Sequence, residues 1–117
     1  MAKLPEPIFD TLNNLLEPGA TYPSYVDKGA FDITRKFLLS YRGSEDTFNS
    51  YRREVDRYLQ WTYLINHSQL MTASQSDIED FLRFCINPPE EWISTTLHTR
   101  FTIIEGVKTH NPLWRPF

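Results

Sequence analysis

The sequence has one cysteine, four glycines among 117 residues, and three histidines that share no ligand spacing. It also has no apolar run approaching the ~20 residues that a membrane-spanning helix needs. Each shortage excludes something. Cys85 has no partner for an internal disulfide, which fits a reducing compartment and makes a cytoplasmic location the expectation. Gly19, Gly29, Gly43 and Gly106 are too dispersed to form a phosphate-cradling loop. His67, His98 and His110 are too far apart for a metal site, so neither metal nor cofactor is expected. The opening MAKLPEPIFD places prolines and acids where a signal peptide requires an apolar stretch. Repeats and low-complexity tracts are missing too. The formal charge of −3 is mild, so a polyanion-binding role would have to rest on a local basic patch.

What is present is an apolar fraction of 40% with 15% aromatics, enough for one globular domain with a modest core. In PEPIFDTLNNLLE (5–17), Ile8, Leu12, Leu15 and Leu16 stand at helical spacing before Pro18-Gly19. DKGAFDITRKFLLSYR (27–42) reads as a second helix, its stripe formed by Ala30, Ile33, Phe37, Leu38 and Tyr41, with Gly43 as its stop. SEDTFNSYRREVDRYLQW (44–61) reads as a third. Ser44 is its N-cap, Glu45 and Asp46 complement the positive helix end, and Phe48, Tyr51, Val55, Tyr58, Leu59 and Thr62 form its core face. Leu64 and Ile65 extend it until Asn66-His67-Ser68. A fourth helix carries Ile78, Phe81, Leu82 and Cys85 on one stripe, with Ser76 and Glu79 as a capping box, and ends at Asn87-Pro88-Pro89. Beyond it, β-formers flank Glu105-Gly106 in RFTIIEGVKTH, the pattern of a short hairpin. The expected fold is all-α: a small helical bundle (27–87) behind an N-terminal arm with a short helix (1–26), with an irregular, hairpin-bearing extension (88–117).

No constellation for catalysis is apparent. Cys85 lies on an apolar stripe, as a small buried hydrophobe would. Glu79-Asp80 and Glu90-Glu91 are sequence neighbours whose side chains diverge on a helix, so they read as solvated or capping charges. The nucleic-acid question is more open. On the third helix Arg53 and Arg57 stand at i, i+4 opposite Phe48, Val55 and Leu59, flanked by Ser50 and Gln60. Such a stripe suits a phosphate backbone or a major groove. An ordinary salt-bridged face, with Arg52 paired to Asp56 and Arg57 to Glu54, explains the same residues. A second basic set, Arg100, Lys108 and Arg115, is interleaved with Phe101, Trp114 and Phe117. It fits an arm that tracks DNA and equally aromatics that pack back on the bundle. Trp61 reads as a satellite contact, in reach of the 92–117 region.

The order and spacing of these pieces carry a resemblance. The pattern S-x-x-T-F-x-S-Y-x-x-x-V-x-x-Y-L-x-W, from Ser44 to Trp61, resembles the second helix of the core-binding domain of phage-integrase-type tyrosine recombinases. Phe37-Leu38 ahead of it is similar to that domain's first helix, and Ser76-Asp77-Ile78 with Phe81-Leu82 to its third. PPEEWISTTLHTRF and NPLWRPF resemble an insertion in a subset of bacterial integrases. The resemblance covers about residues 27–117. It implies a small SAM-like bundle that clamps recombination-site DNA from one side while a separate catalytic domain closes from the other. It also implies contact with other recombinase protomers. By position, the DNA-facing side would present Ser50, Arg53, Arg57 and Gln60, with Arg42, Arg52 and Lys36 as further phosphate contacts. The family's fourth helix and its catalytic residues would lie beyond Phe117, so no tyrosine here is expected to be the nucleophile. A different class remains open: a helical protein-interaction module using Trp92, Trp114 and Phe117 as anchors.

Overall fold

The computed structural model describes residues 5–17, 19 and 21–117. Four α-helices are followed by a two-stranded antiparallel hairpin: α1 Leu12–Leu16, α2 Lys28–Leu39, α3 Glu45–Gln60, α4 Gln75–Ile86, β1 Phe101–Ile104 and β2 Val107–His110. Short 3-10 turns occupy Leu70–Thr72 and Glu90–Trp92. The expected small helical domain with a hairpin extension is therefore the observed architecture.

Capping residues fix the helix starts. Thr11, Asp27 and Ser44 accept from the backbone N–H of Asn14, Ala30 and Thr47. At α4 the capping box lies two residues earlier than Ser76/Glu79: Ser74 and Asp77 satisfy each other's backbone N–H groups. Aspartate completes the box here, a shorter acid than the glutamate sought. Gly19 takes φ +79°, while Pro18 lies outside the described residues. α3 does not simply continue through Leu64 and Ile65. Trp61–Ile65 form a π-helical turn, closed by Asn66 N donating to Trp61 O at 2.9 Å.

The core gathers Ile8, Phe9, Leu15, Val26, Ala30, Phe31, Leu38, Phe48 and Leu59. Ile8, Phe9, Leu15 and Val26 of the N-terminal arm thus supply core side chains. That contribution turns α2 on its axis. Phe31 is buried, stacking on Phe9 at 5.6 Å and Tyr22 at 4.3 Å between ring centroids, and Thr34 is buried beside it. Ile33 and Phe37, placed on the core stripe by spacing, face outward. Phe37 and Tyr41 instead form an edge cluster with Tyr51 of α3.

A second aromatic group joins α3 to α4 through Tyr58, Trp61 and Phe81, with Phe81 5.0 Å from Tyr58 and 5.7 Å from Trp61. Trp61 therefore packs on α4. Of the proposed α4 stripe only Phe81 is buried; Ile78 and Leu82 are exposed and Cys85 is half-buried. A third group, Phe84 with Trp92 and Phe117, fastens the extension to α4.

The hairpin turns on Glu105 and Gly106, with φ +52° and +77°. Positive φ at both central positions marks the type I′ turn that matches strand twist. The register pairs Phe101 with His110 and Ile104 with Val107. The chain then returns to the start of the extension: Phe117 N donates to Trp92 O at 3.1 Å and Ser94 N to Phe117 O at 2.7 Å. Segment 113–117 is thereby held beside α3.

Candidate nucleic-acid interface

The third helix sets the site, and its buried arc is displaced from the one spacing suggests. Phe48 and Leu59 are inward as expected, but Asp56 and Gln60 are buried with them while Tyr51 is exposed. The cause is the N-terminal segment lying along that flank. Asp56 Oδ1 accepts from Ile8 N at 3.1 Å and Phe9 N at 3.3 Å, and Gln60 Nε2 donates to Glu6 O at 3.1 Å. Asp56 also faces the Arg100 guanidinium in a buried ion pair, so Arg100, not Arg52, is its cationic partner. Arg100 donates further to Phe9 O at 2.9 Å and lies over the Trp114 ring at 4.9 Å. Burial pushes its guanidinium down to about 9, with Arg52 adding repulsion, which leaves it charged at neutral pH.

The seven candidate contacts divide accordingly. Ser50 and Arg53 are exposed on α3; Arg53 makes only a 3.5 Å approach to Glu54. Arg57 is half-buried. Its Nε donates to Pro116 O at 2.7 Å, its Nη1 lies 3.4 Å from Glu54, and it sits 4.3 Å over the Phe117 ring. Burial lowers the pKa of its guanidinium, with Glu54 opposing that shift. Arg52 is half-buried, and its Nε makes no hydrogen bond. Gln60 is fully buried and is no surface contact. Lys36 and Arg42 are exposed on and after α2, and Arg42 donates to Leu39 O at 3.0 Å.

Two open cavities flank the Trp114–Phe117 segment. One of about 500 Å³ brings Ser50, Arg52 and Arg53 together with Arg100, Trp114 and Pro116. The other, of about 300 Å³, brings Arg57 together with His98, Arg115 and the hydroxyl residues Ser94, Thr95 and Thr96. Lys36 and Arg42 line neither. Four arginines from α3 and the extension therefore surround a four-residue stretch that carries a fifth, Arg115. Spacing had separated the two basic sets; the fold joins them. Lys108, the third residue of the second set, pairs with Asp10 at 2.5 Å away from both cavities. The return of the extension onto α3 is the signal sequence reasoning could not supply, since Arg57 and Pro116 are 59 residues apart.

For other chemistry the surface offers little. Cys85 is half-buried and burial raises its thiol pKa, which disfavours the nucleophilic thiolate. Among the described residues, no three of His, Cys, Asp and Glu gather where they could hold a metal ion. Among them too, no helix is long and apolar enough to cross a membrane. No protein-family model matches this chain, and comparisons with curated proteins and with solved structures return no match.

Proposed function

We propose that this chain is a DNA-binding unit of a site-specific tyrosine recombinase, holding duplex DNA against the face built by α3 and the C-terminal segment. The observation that carries the reading is the gathering of Arg52, Arg53, Arg57, Arg100 and Arg115 around Trp114–Phe117 in a chain of net charge −3. A basic concentration against an acidic background is the electrostatic footprint of a phosphate-binding surface. The α3 pattern from Ser44 to Trp61, which resembles the recombinase core-binding domain, supplies the class of protein. On this reading the unit positions recombination-site DNA without cutting it, beside a catalytic domain and other protomers.

Contacts are mostly to backbone phosphate, with Arg53 the freest donor. Arg53→Ala should weaken duplex binding and reduce the slope of log K against log salt by about one unit. Fluorescence anisotropy at several salt concentrations measures both. An unchanged slope in Arg53→Ala/Arg57→Ala would remove this face from the interface. Arg53→Ala is the cleaner variant, because Arg57 also tethers Pro116 and Phe117.

A protein-docking reading has one observation behind it, on a different surface from the one expected. Trp92 and Trp114 are buried and cannot serve as anchors, but Ile78, Leu82 and Ile86 form an exposed i, i+4, i+8 row on α4. Self-association that survives Arg53→Ala/Arg57→Ala but is abolished by Leu82→Glu would favour it.

A further inference from the structure

The hairpin has two outer edges, and its register shows which groups they offer. Ile104 and Val107 pair across the turn, and Asn111 N donates to Arg100 O at 2.8 Å, so hydrogen-bonded pairs fall on every second residue, with Thr102 and Thr109 between. Phe101 and Ile103 on β1, and Lys108 and His110 on β2, therefore turn their backbone N–H and C=O groups outward. Among the described residues, no backbone group meets them. A bare edge of this kind is a template for another strand.

The two edges are not equivalent. β2 carries Lys108 and His110, polar guards of the sort that deter pairing, and Asp10 holds Lys108 in place. β1 is Phe-Thr-Ile-Ile, strand-formers throughout, without charge or proline. Ile103 stands 74% exposed, and Ile104 and Val107 are exposed with it at the tip. The base of the hairpin is fixed by contrast, since Lys108 is tied to Asp10 and Arg100 to Asp56 and Phe9 O. The open edge is thus presented on an anchored element.

We propose that the β1 edge pairs with the β1 edge of a second copy of this chain, joining two two-stranded sheets into one antiparallel sheet about a two-fold axis at Thr102. In this register the strand is complementary to itself. Phe101 lies opposite Ile103 of the second copy and exchanges both backbone hydrogen bonds with it, and symmetry repeats the pair. Each pair combines an aromatic with a β-branched side chain, and the two Thr102 hydroxyls meet on the opposite face; cross-strand pairs of both kinds are favourable. Lys108 and His110 flank this apolar centre on the outer strands. The absence of charge on β1 matters, because copies of a chain with net charge −3 repel each other. Pairing also carries a lone hairpin past the three strands that a sheet needs for stability in water. Two four-residue strands bury far less than the ~1,200–2,000 Å² of a stable complex, so the association is weak and concentration-dependent. It is independent of the DNA-binding reading and of the α4 row.

Sedimentation equilibrium of the full chain from micromolar to millimolar concentration, with amide NMR over the same range, tests the pairing. The average mass should rise toward twice that of one chain, while the Phe101 and Ile103 amides shift and exchange more slowly with solvent. A mixture of labelled and unlabelled chain should give intermolecular contacts between the Phe101 ring and the Ile103 side chain. Ile103→Lys should abolish the association, and Leu82→Glu should leave it intact. A single-chain mass throughout the range would overturn the proposal. Association that survives Ile103→Lys but is lost in Leu82→Glu would overturn it too, by assigning the contact to α4. So would concentration-dependent shifts at Lys108 and His110 with Phe101 and Ile103 unmoved. The measurements on the parent chain decide the matter even if a variant fails to fold.

Discussion

Asp56 accepts from Ile8 N and Phe9 N and faces Arg100, so one carboxylate ties residues 8–9, α3 and the approach to β1 together. Removing one partner of a buried ion pair leaves the other charge uncompensated, at about 3–5 kcal/mol. Asp56→Ala should therefore lower unfolding free energy by about that amount in urea titration. Adding Arg100→Met should recover part of the loss, because it takes away the stranded guanidinium. Asp27 plays a smaller, pH-dependent part. Its Oδ2 caps α2 and its Oδ1 accepts from the Tyr63 hydroxyl. The Tyr63 bond first, and the Ala30 N–H next, hold its pKa below the ordinary 3.8. A depressed carboxylate contributes stability above its unfolded pKa and loses it as pH falls through the folded value. The matching limb is alkaline: burial, then the Asp27 bond, raises Tyr63 from 10.0 to about 12, so stability is present below 10 and lost as pH climbs toward 12. Urea midpoints against pH should show both limbs weakened in Asp27→Asn.

At the scale of elements, the sequence shows helix existence and the hairpin more clearly than it shows helix orientation. Glu105-Gly106 between β-formers marked the turn because its geometry is local, needing only positive φ at two positions. The wheels of α2 and α3 identified Ala30, Leu38, Phe48 and Leu59 correctly but misplaced Ile33, Phe37, Tyr51 and Gln60. A wheel assumes that burial follows apolarity on one side. Here residues 5–9 cover a second flank and bury Asp56 and Gln60 through hydrogen bonds to backbone groups, which leave no apolar signature. The α4 start makes a sharper test. Ser74→Ala removes the capping hydroxyl and should cost about 1 kcal/mol, whereas Ser76→Ala should change stability by a few tenths at most. Equal losses in thermal melts of the two variants would contradict the placement of the cap.

Across the whole molecule, the arrangement that matters is the return of the extension. Trp92, Trp114 and Pro116 are buried, and Phe117 closes against Trp92 and Ser94. That closure converts two basic sets far apart in the chain into one surface around Trp114–Phe117. Ser50, Arg53 and Arg57 were legible as one side of α3 from the i, i+4 spacing alone. Arg100 and Arg115 were legible as basic residues among aromatics, but not as neighbours of α3. No local pattern encodes a bond from Arg57 to Pro116 or a pair between Asp56 and Arg100. The central claim is that this joined face meets DNA. Amide NMR of the chain, titrated with duplex DNA at low and then raised salt, tests it most directly, since it detects weak binding and reports the residues involved. Salt-sensitive shifts at Ser50, Arg53 and Arg57, together with residues 113–117, are the predicted result. Unmoved signals across that face, with the fold intact at low salt, would contradict it.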